Sequence, residues 1–239
     1  MNDTPKKKAA PRKPKPTAEN VQTQKAADEK DDAALKADIL EAALPHAAFD
    51  GFTEKVLQNA GEEEGLEKGE IARLFPEGPL GLIAYYSQSV DAEMQTRLAA
   101  MDLPSMKIRL RISEAVKVRL LILKRHKEAA RRAAAALSLP MHTGLAAKLM
   151  YRTVDIMWRA AGDASTDFNF YTKRGILAGV YAATLVRWFA DASPDEAVTN
   201  EFLAARIENV MQFEKFKAKA KDMLSNFSAF ADRSQKKAP

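Results

Sequence analysis

The sequence contains no cysteine. That excludes disulfides, thiol catalysis and cysteine-ligated metal, and it fits a reducing compartment. Histidine is scarce too: only His46, His126 and His142 occur. None stands in a Glu-x-x-His or His-x-x-x-His spacing, so the chain offers no helical metal site of those kinds. There is no glycine-rich phosphate loop, no dinucleotide fingerprint and no Gly-x-Ser-x-Gly elbow. No apolar run approaches the ~20 residues that span a bilayer as a helix. The expectation is a binding protein and not an enzyme, with no metal and no cofactor.

What is present is helix-forming sequence and an uneven distribution of charge. The 239 residues carry a formal net charge of +5, enough chain for one domain with a substantial core. Residues 1–33 are rich in Lys, Pro, Ala and acids and nearly free of large apolar side chains. Such a segment buries too little to offset its ordering entropy and is expected to be disordered. Its tip is basic, through Lys6, Lys7, Lys8, Arg12, Lys13 and Lys15. It reads as a solubilising tail or as a loose attachment to anionic lipid or nucleic acid. No apolar stretch follows the lysines, so it is not read as a secretory leader. Lys in place of Arg, with Asp28, Glu29, Asp31 and Asp32, disfavours a mitochondrial transit peptide. The expected location is a bacterial cytoplasm, with the chain peripheral on the inner membrane.

From Ala34 onward the apolar residues recur at helical spacing. Residues 34–50 place Leu35, Ile39, Leu40, Ala43 and Leu44 on one face. Thr53 caps a second helix with Val56 and Leu57 inward, ending near Gly61. A third covers about Glu67 to Phe75, with Ile71 and Leu74 inward. Ile39-Leu40, Gly69-Glu70-Ile71 and Phe75-Pro76 give residues 34–78 a similarity to the helix-turn-helix of TetR-type regulators. DNA affinity rests on phosphate contacts, which need Lys and Arg. Between Asp50 and Phe75 acids outnumber bases, and Glu62, Glu63 and Glu64 sit just before the third helix. The module reads as degenerate, kept for packing, with no nucleic acid expected.

Residues 79–207 continue as helices. One carries Leu82, Ile83, Tyr86, Val90, Met94 and Leu98; a long basic helix or pair of helices runs from Met106 to Leu137 after a Ser105 cap. Its lysines and arginines read as a solvated face, or as a contact for anionic headgroups or an acidic partner. Thr143 caps the next helix. Ser193-Pro194-Asp195-Glu196 is a helix start with a cap, an N1 proline and a Glu three residues after the cap. Before it lies a helix apolar over much of its circumference: Ile176, Leu177, Val180, Tyr181, Leu185 and Trp188. Such a helix is central. In a TetR-like architecture a ligand cavity or a dimer interface lies here, and periodicity nominates Leu177, Tyr181, Leu185 and Trp188 to line the cavity. Gly175 and Gly179 allow close approach of a helix or a ligand, or mark ordinary tight packing.

The densest stretch joins two of these helices, from Tyr151 to Arg174. Gly162-Asp163 forms the turn, Ser165 or Thr166 caps the second helix, and Asp167 suits its positive end. Met157 and Trp158 point ~100° apart, so one face cannot bury both. Asp155, Asp163 and Asp167 read as capping and solvated carboxylates. The aromatics fill a core or form a docking surface. Met157-Trp158, with the run from Gly162 and Asp163 through Phe168-Asn169-Phe170-Tyr171-Thr172-Lys173-Arg174, resembles the signature of the ubiquinone-biosynthesis accessory family, coenzyme Q biosynthesis protein nine. The likeness extends more weakly from about Ala34 to Ile207. The resemblance implies a TetR-like all-α fold and a non-enzymatic lipid-binding protein. It implies as partners an isoprenoid quinone intermediate and the di-iron demethoxyubiquinone hydroxylase. It places docking on Asp155, Met157, Trp158, Asp167, Phe170, Tyr171 and Arg174. Phe170 departs from relatives with Trp there: the ring is kept and the indole N–H is lost. A homodimer is expected from the architecture.

Residues 208–232 form the last predicted helix, followed by a disordered tail over 233–239. Phe213, Phe216, Ala220, Met223, Phe227 and Phe230 fall in one apolar arc, with Lys215, Lys217, Lys219 and Lys221 at its margins. That is the pattern of a helix lying in a membrane interface; docking on its own core is the competing reading. Aromatics without a leucine seam argue against a coiled coil. The function read from the sequence is presentation of a quinone intermediate to the hydroxylase at the membrane. The alternative is a TetR-like regulator sensing a lipophilic ligand.

Overall fold

The structure is a computed structural model and describes residues 18–164, 168–210 and 212. Among these residues there is no strand. Helix α1 (Ala18–Asp50) begins well before residue 34. The segment expected to be disordered up to 33 is therefore helical from Ala18. Its Ala, Glu, Lys and Gln are strong helix formers, and no Gly or Pro interrupts it before Pro45. Arg73 grips it through two hydrogen bonds to Asp32, at 2.7 and 2.8 Å.

Helices α2 (Glu54–Glu63) and α3 (Lys68–Leu74) complete the N-terminal module. The Thr53 hydroxyl accepts from the Val56 N–H at 3.2 Å, as a cap should. Ile39, Ala43, Ala47, Leu57 and Ile71 are fully or almost fully buried, each large one contributing about 1.5–3 kcal/mol. Gly61 lets α2 and α3 close: a Cβ there would lie 2.3 Å from Ile71 Cδ1.

Helix α4 (Pro79–Ala99) buries Leu82, Tyr86, Val90, Met94 and Leu98, one every four residues. The basic stretch takes the second of its two expected forms, a pair of helices: α5 (Ile108–Leu123) and α6 (Lys127–Leu137), joined by a 3₁₀ turn over Lys124–His126. Ser105 lies in an earlier 3₁₀ turn, and Lys107 occupies the cap position of α5. Helices α7 (Thr143–Ala160) and α8 (Phe168–Phe189) form the hairpin, and α9 spans 197–210. Thr143 is the first residue of α7, its hydroxyl donating to the Pro140 carbonyl at 2.7 Å. Helix α4 packs on α5 and α7, while α6 contacts α1, α7 and α8. That arrangement encloses a space between α4, α5, α6, α7 and α8.

The start signal at Ser193 works differently from the expected capping box. The Glu196 carboxylate does not turn back to the Ser193 N–H; it accepts from the Trp188 indole at 2.8 Å. The Asp191 carboxylate instead takes the Ser193 and Thr199 N–H groups and hydroxyls, at 2.6–2.8 Å. Those bonds drive its pKa far below the usual carboxylate range. Among the described residues, no helix is long and apolar enough to cross a membrane.

Candidate functional site

The hairpin turn closes by backbone geometry. Gly162, at φ +88°, takes the left-handed position that ends α7. Its N–H bonds to the Arg159 carbonyl at 2.9 Å, and the Asp163 N–H reaches back to the Trp158 carbonyl at 3.0 Å. These two bonds satisfy carbonyls that the helix end leaves open.

Arg174 is the hub of the hairpin. It is 2% exposed. Its Nε donates to Asp155 Oδ1 at 2.7 Å, and Nη1 donates to Asp163 Oδ2 at 3.1 Å and to the Phe170 carbonyl at 3.2 Å. The guanidinium lies 3.4 Å from the Phe170 ring centroid. Burial alone would raise the Asp155 carboxyl. Hydrogen bonds from Arg159 and Arg174 outweigh it and hold the pKa below the ordinary value. Asp155 and Asp163 are thus ion-pair partners, not the solvated turn carboxylates expected from the sequence. Lys173 adds an ion pair to Asp163 at 2.8 Å, and the Trp158 indole donates to the Lys173 carbonyl at 3.1 Å.

The predicted docking residues therefore separate. Tyr171 is 68% exposed, and its ring meets Phe170 edge-on at 5.1 Å. Asp155, Trp158 and Phe170 are half-buried. Met157 is fully buried in the core and Arg174 lies beneath the surface, so neither is presented to a partner. Asp167, with Ser165 and Thr166, lies outside the described residues. So do Phe213, Lys215, Phe216, Lys217, Lys219, Met223, Phe227 and Phe230.

The space between the helices is a cavity of about 420 Å³. A water in liquid occupies only ~30 Å³, and protein interiors hold few voids larger than that. The opening follows from small side chains: α6 presents Ala130, Ala133 and Ala134 where Leu or Phe would fill the gap. Leu123, Leu137, Leu149, Met150, Leu185 and Phe189 supply most of the remaining apolar wall. Val186, which lines the cavity and is also 72% exposed, marks its mouth on α8.

Tyr181 and Leu185 line this cavity, as periodicity nominated them. Leu177 instead lines a smaller pocket of about 80 Å³ with Trp158 and Ile207. Trp188 lines neither: it is fully buried, with Lys127 Nζ 4.8 Å from its ring centroid. Gly175 and Gly179 are exposed, and a Cβ at either would meet nothing within 4 Å, so they do not serve tight packing within the described residues.

A buried polar cluster that no sequence motif announces stands on the cavity wall. Arg119 Nε donates to the Tyr181 hydroxyl at 2.7 Å, Nη2 donates to Ser87 Oγ at 3.2 Å, and Nη1 donates to Asp91. Thr153 donates to the same carboxylate at 3.0 Å. Burial lifts the Asp91 pKa above the ordinary value, against the pull of Arg119 and Thr153. A signal existed: Arg119 sits among Ile112, Ala115, Val116, Leu120 and Leu123 on the inner stripe of α5. A charge placed there needs a buried partner.

The COQ9 family model matches residues 143–214, which include the hairpin and the cavity wall of α7 and α8. "Ubiquinone biosynthesis protein COQ9, mitochondrial" of Drosophila melanogaster is 29% identical over 81% of this chain and 60% of its own length. The proteins of that name from Rattus norvegicus and Homo sapiens are 32% and 31% identical, each over 72% of this chain and 57% and 56% of their own lengths. The chain thus spans less than two thirds of these relatives. Among solved structures, the TetR transcriptional regulator from Nitrosomonas europaea superposes with a TM-score of 0.59 at 18% identity, over 73% of this chain and 97% of that one. That likeness is one of fold alone. The relatives' names correct the expected bacterial cytoplasm, since they are mitochondrial proteins. The acids at 28–32 that argued against a mitochondrial segment belong to helix α1.

Proposed function

From the premise that the chain belongs to the COQ9 family, we propose that it is a non-enzymatic lipid-binding protein of ubiquinone biosynthesis. It takes an isoprenoid quinone intermediate into the cavity and hands it to the di-iron demethoxyubiquinone hydroxylase. One observation carries the reading: a cavity of about 420 Å³, largely apolar, opening beside Val186. Its size lies within the range of sites that bury small ligands. A polyprenyl chain is insoluble in water, and such a cavity shields part of it during transfer.

The hairpin is the proposed docking surface. Tyr171 is the most exposed large hydrophobic among its described residues, and Tyr is a residue type that anchors interfaces. Tyr171→Ala is expected to weaken hydroxylase binding about tenfold or more, with stability within about 0.5 kcal/mol of the parent. Surface plasmon resonance on the purified pair measures it; unchanged affinity removes Tyr171 from the interface.

The aromatic stripe of 213–230 is the proposed membrane contact. Removing residues 213–239 is expected to abolish co-flotation with anionic liposomes. Continued flotation moves the contact to the basic face of α5 and α6 or to the N-terminal tail.

A further inference from the structure

The cavity is not uniformly apolar, and its polar part is incomplete. Tyr86 lines it and is 6% exposed, yet its hydroxyl has no hydrogen-bond partner among the described residues. A buried hydroxyl left unpaired is costly, and native structures rarely leave one without a reason. Ser87, Arg119, Thr153 and Tyr181, joined through the Arg119–Asp91 network, line the same wall. Every member but Tyr86 is partnered within the protein.

The charge of this wall selects the ligand class. Arg119 is 5% exposed and bonded to Asp91, which is fully buried. Arg152, which is not on the lining, stands 4.0 Å from the same carboxylate; on the lining itself the charged residue is Arg119, whose guanidinium is committed to Asp91, Ser87 and Tyr181, so an ionised headgroup would find no free donor there and would lose its hydration. A neutral oxygen loses far less and gains a donor. We propose that the Tyr86 hydroxyl donates a hydrogen bond to a ring oxygen of an uncharged, quinone-like head, with the apolar remainder lying along the alanines of α6 towards Val186. This rests on the lipid-binding reading and adds what that reading leaves open, the group on the cavity wall that recognises the head. The cavity then discriminates against plain isoprenoid hydrocarbons, and handover requires breaking one hydrogen bond.

The test uses the full chain and its Tyr86→Phe variant with three probes: a short-tailed benzoquinone, an isoprenoid hydrocarbon of equal length, and the matching isoprenoid diphosphate. Isothermal titration gives the affinities. The parent is expected to bind the quinone most tightly. Tyr86→Phe should lose about tenfold on the quinone, the scale of one hydrogen bond, and nothing on the hydrocarbon. The ligand-free variant should melt no lower than the parent, because an unpaired hydroxyl has been removed. Equal quinone affinity in parent and variant overturns the Tyr86 contact and leaves lipid binding standing. Preference for the diphosphate overturns the neutral-head assignment. A parent that binds no probe defeats the lipid reading, and this inference with it.

Discussion

Arg174→Glu is expected to lower the unfolding free energy by about 3–5 kcal/mol, the cost of breaking a buried ion pair. The site leaves little room for relief. Arg174 is 2% exposed and holds Asp155 and Asp163 at 2.7 and 3.1 Å. Glu at that position sets a third carboxylate against two others, beneath the ring of Phe170. Arg159 and Lys173 still reach Asp155 and Asp163, which moderates the loss but leaves the inner face without a cation. The resemblance places docking on Arg174, but a side chain this buried makes charge reversal first a test of the fold. Urea denaturation measures the change. A variant as stable as the parent would show that the hairpin does not depend on this pair. Any loss of hydroxylase binding in Arg174 variants is then a loss of the platform that positions Tyr171.

Ala133→Trp is expected to reduce quinone affinity at least a hundredfold while leaving the melting temperature unchanged or raised. Ala133 is buried and lines the cavity on α6. An indole projecting into about 420 Å³ occupies space that no side chain fills, so it gains dispersion contacts without the overpacking penalty of a filled core. Ligand and indole then compete for the same volume. Titration of the short-tailed benzoquinone into parent and variant, with melting curves alongside, checks both halves. Retained affinity would place the lipid elsewhere. A large fall in melting temperature would show that the cavity is closed in solution.

The helices were legible in the sequence because burial imposes a period on each. Ile39, Leu40, Ala43 and Leu44, and Leu82 through Leu98, stood at the spacing the structure uses. The hairpin turn was legible because only a residue tolerant of positive φ ends α7 there, and Gly162 supplies it. Met157 and Trp158 diverge as their angular separation requires, one inside and one at the edge. Tertiary distance was not legible. Trp188 shares a helix face with cavity-lining residues, but Lys127 and Glu196 engage it in the core. Those two residues come from other elements, so no single-helix pattern reveals them. The cavity depends in the same way on alanines of α6 facing α8 across a gap. Arg119 and Asp91 stand on the inner stripes of α5 and α4, but among so many lysines and arginines a single inward arginine does not stand out by composition.

The central claim is that the cavity holds an isoprenoid quinone or its precursor. Native mass spectrometry of the purified full chain, followed by organic extraction and lipid identification, tests it most directly. The account predicts a co-purifying polyprenyl quinone or precursor in the parent and its absence from Ala133→Trp. A parent free of lipid, or an Ala133→Trp variant carrying as much as the parent, contradicts it.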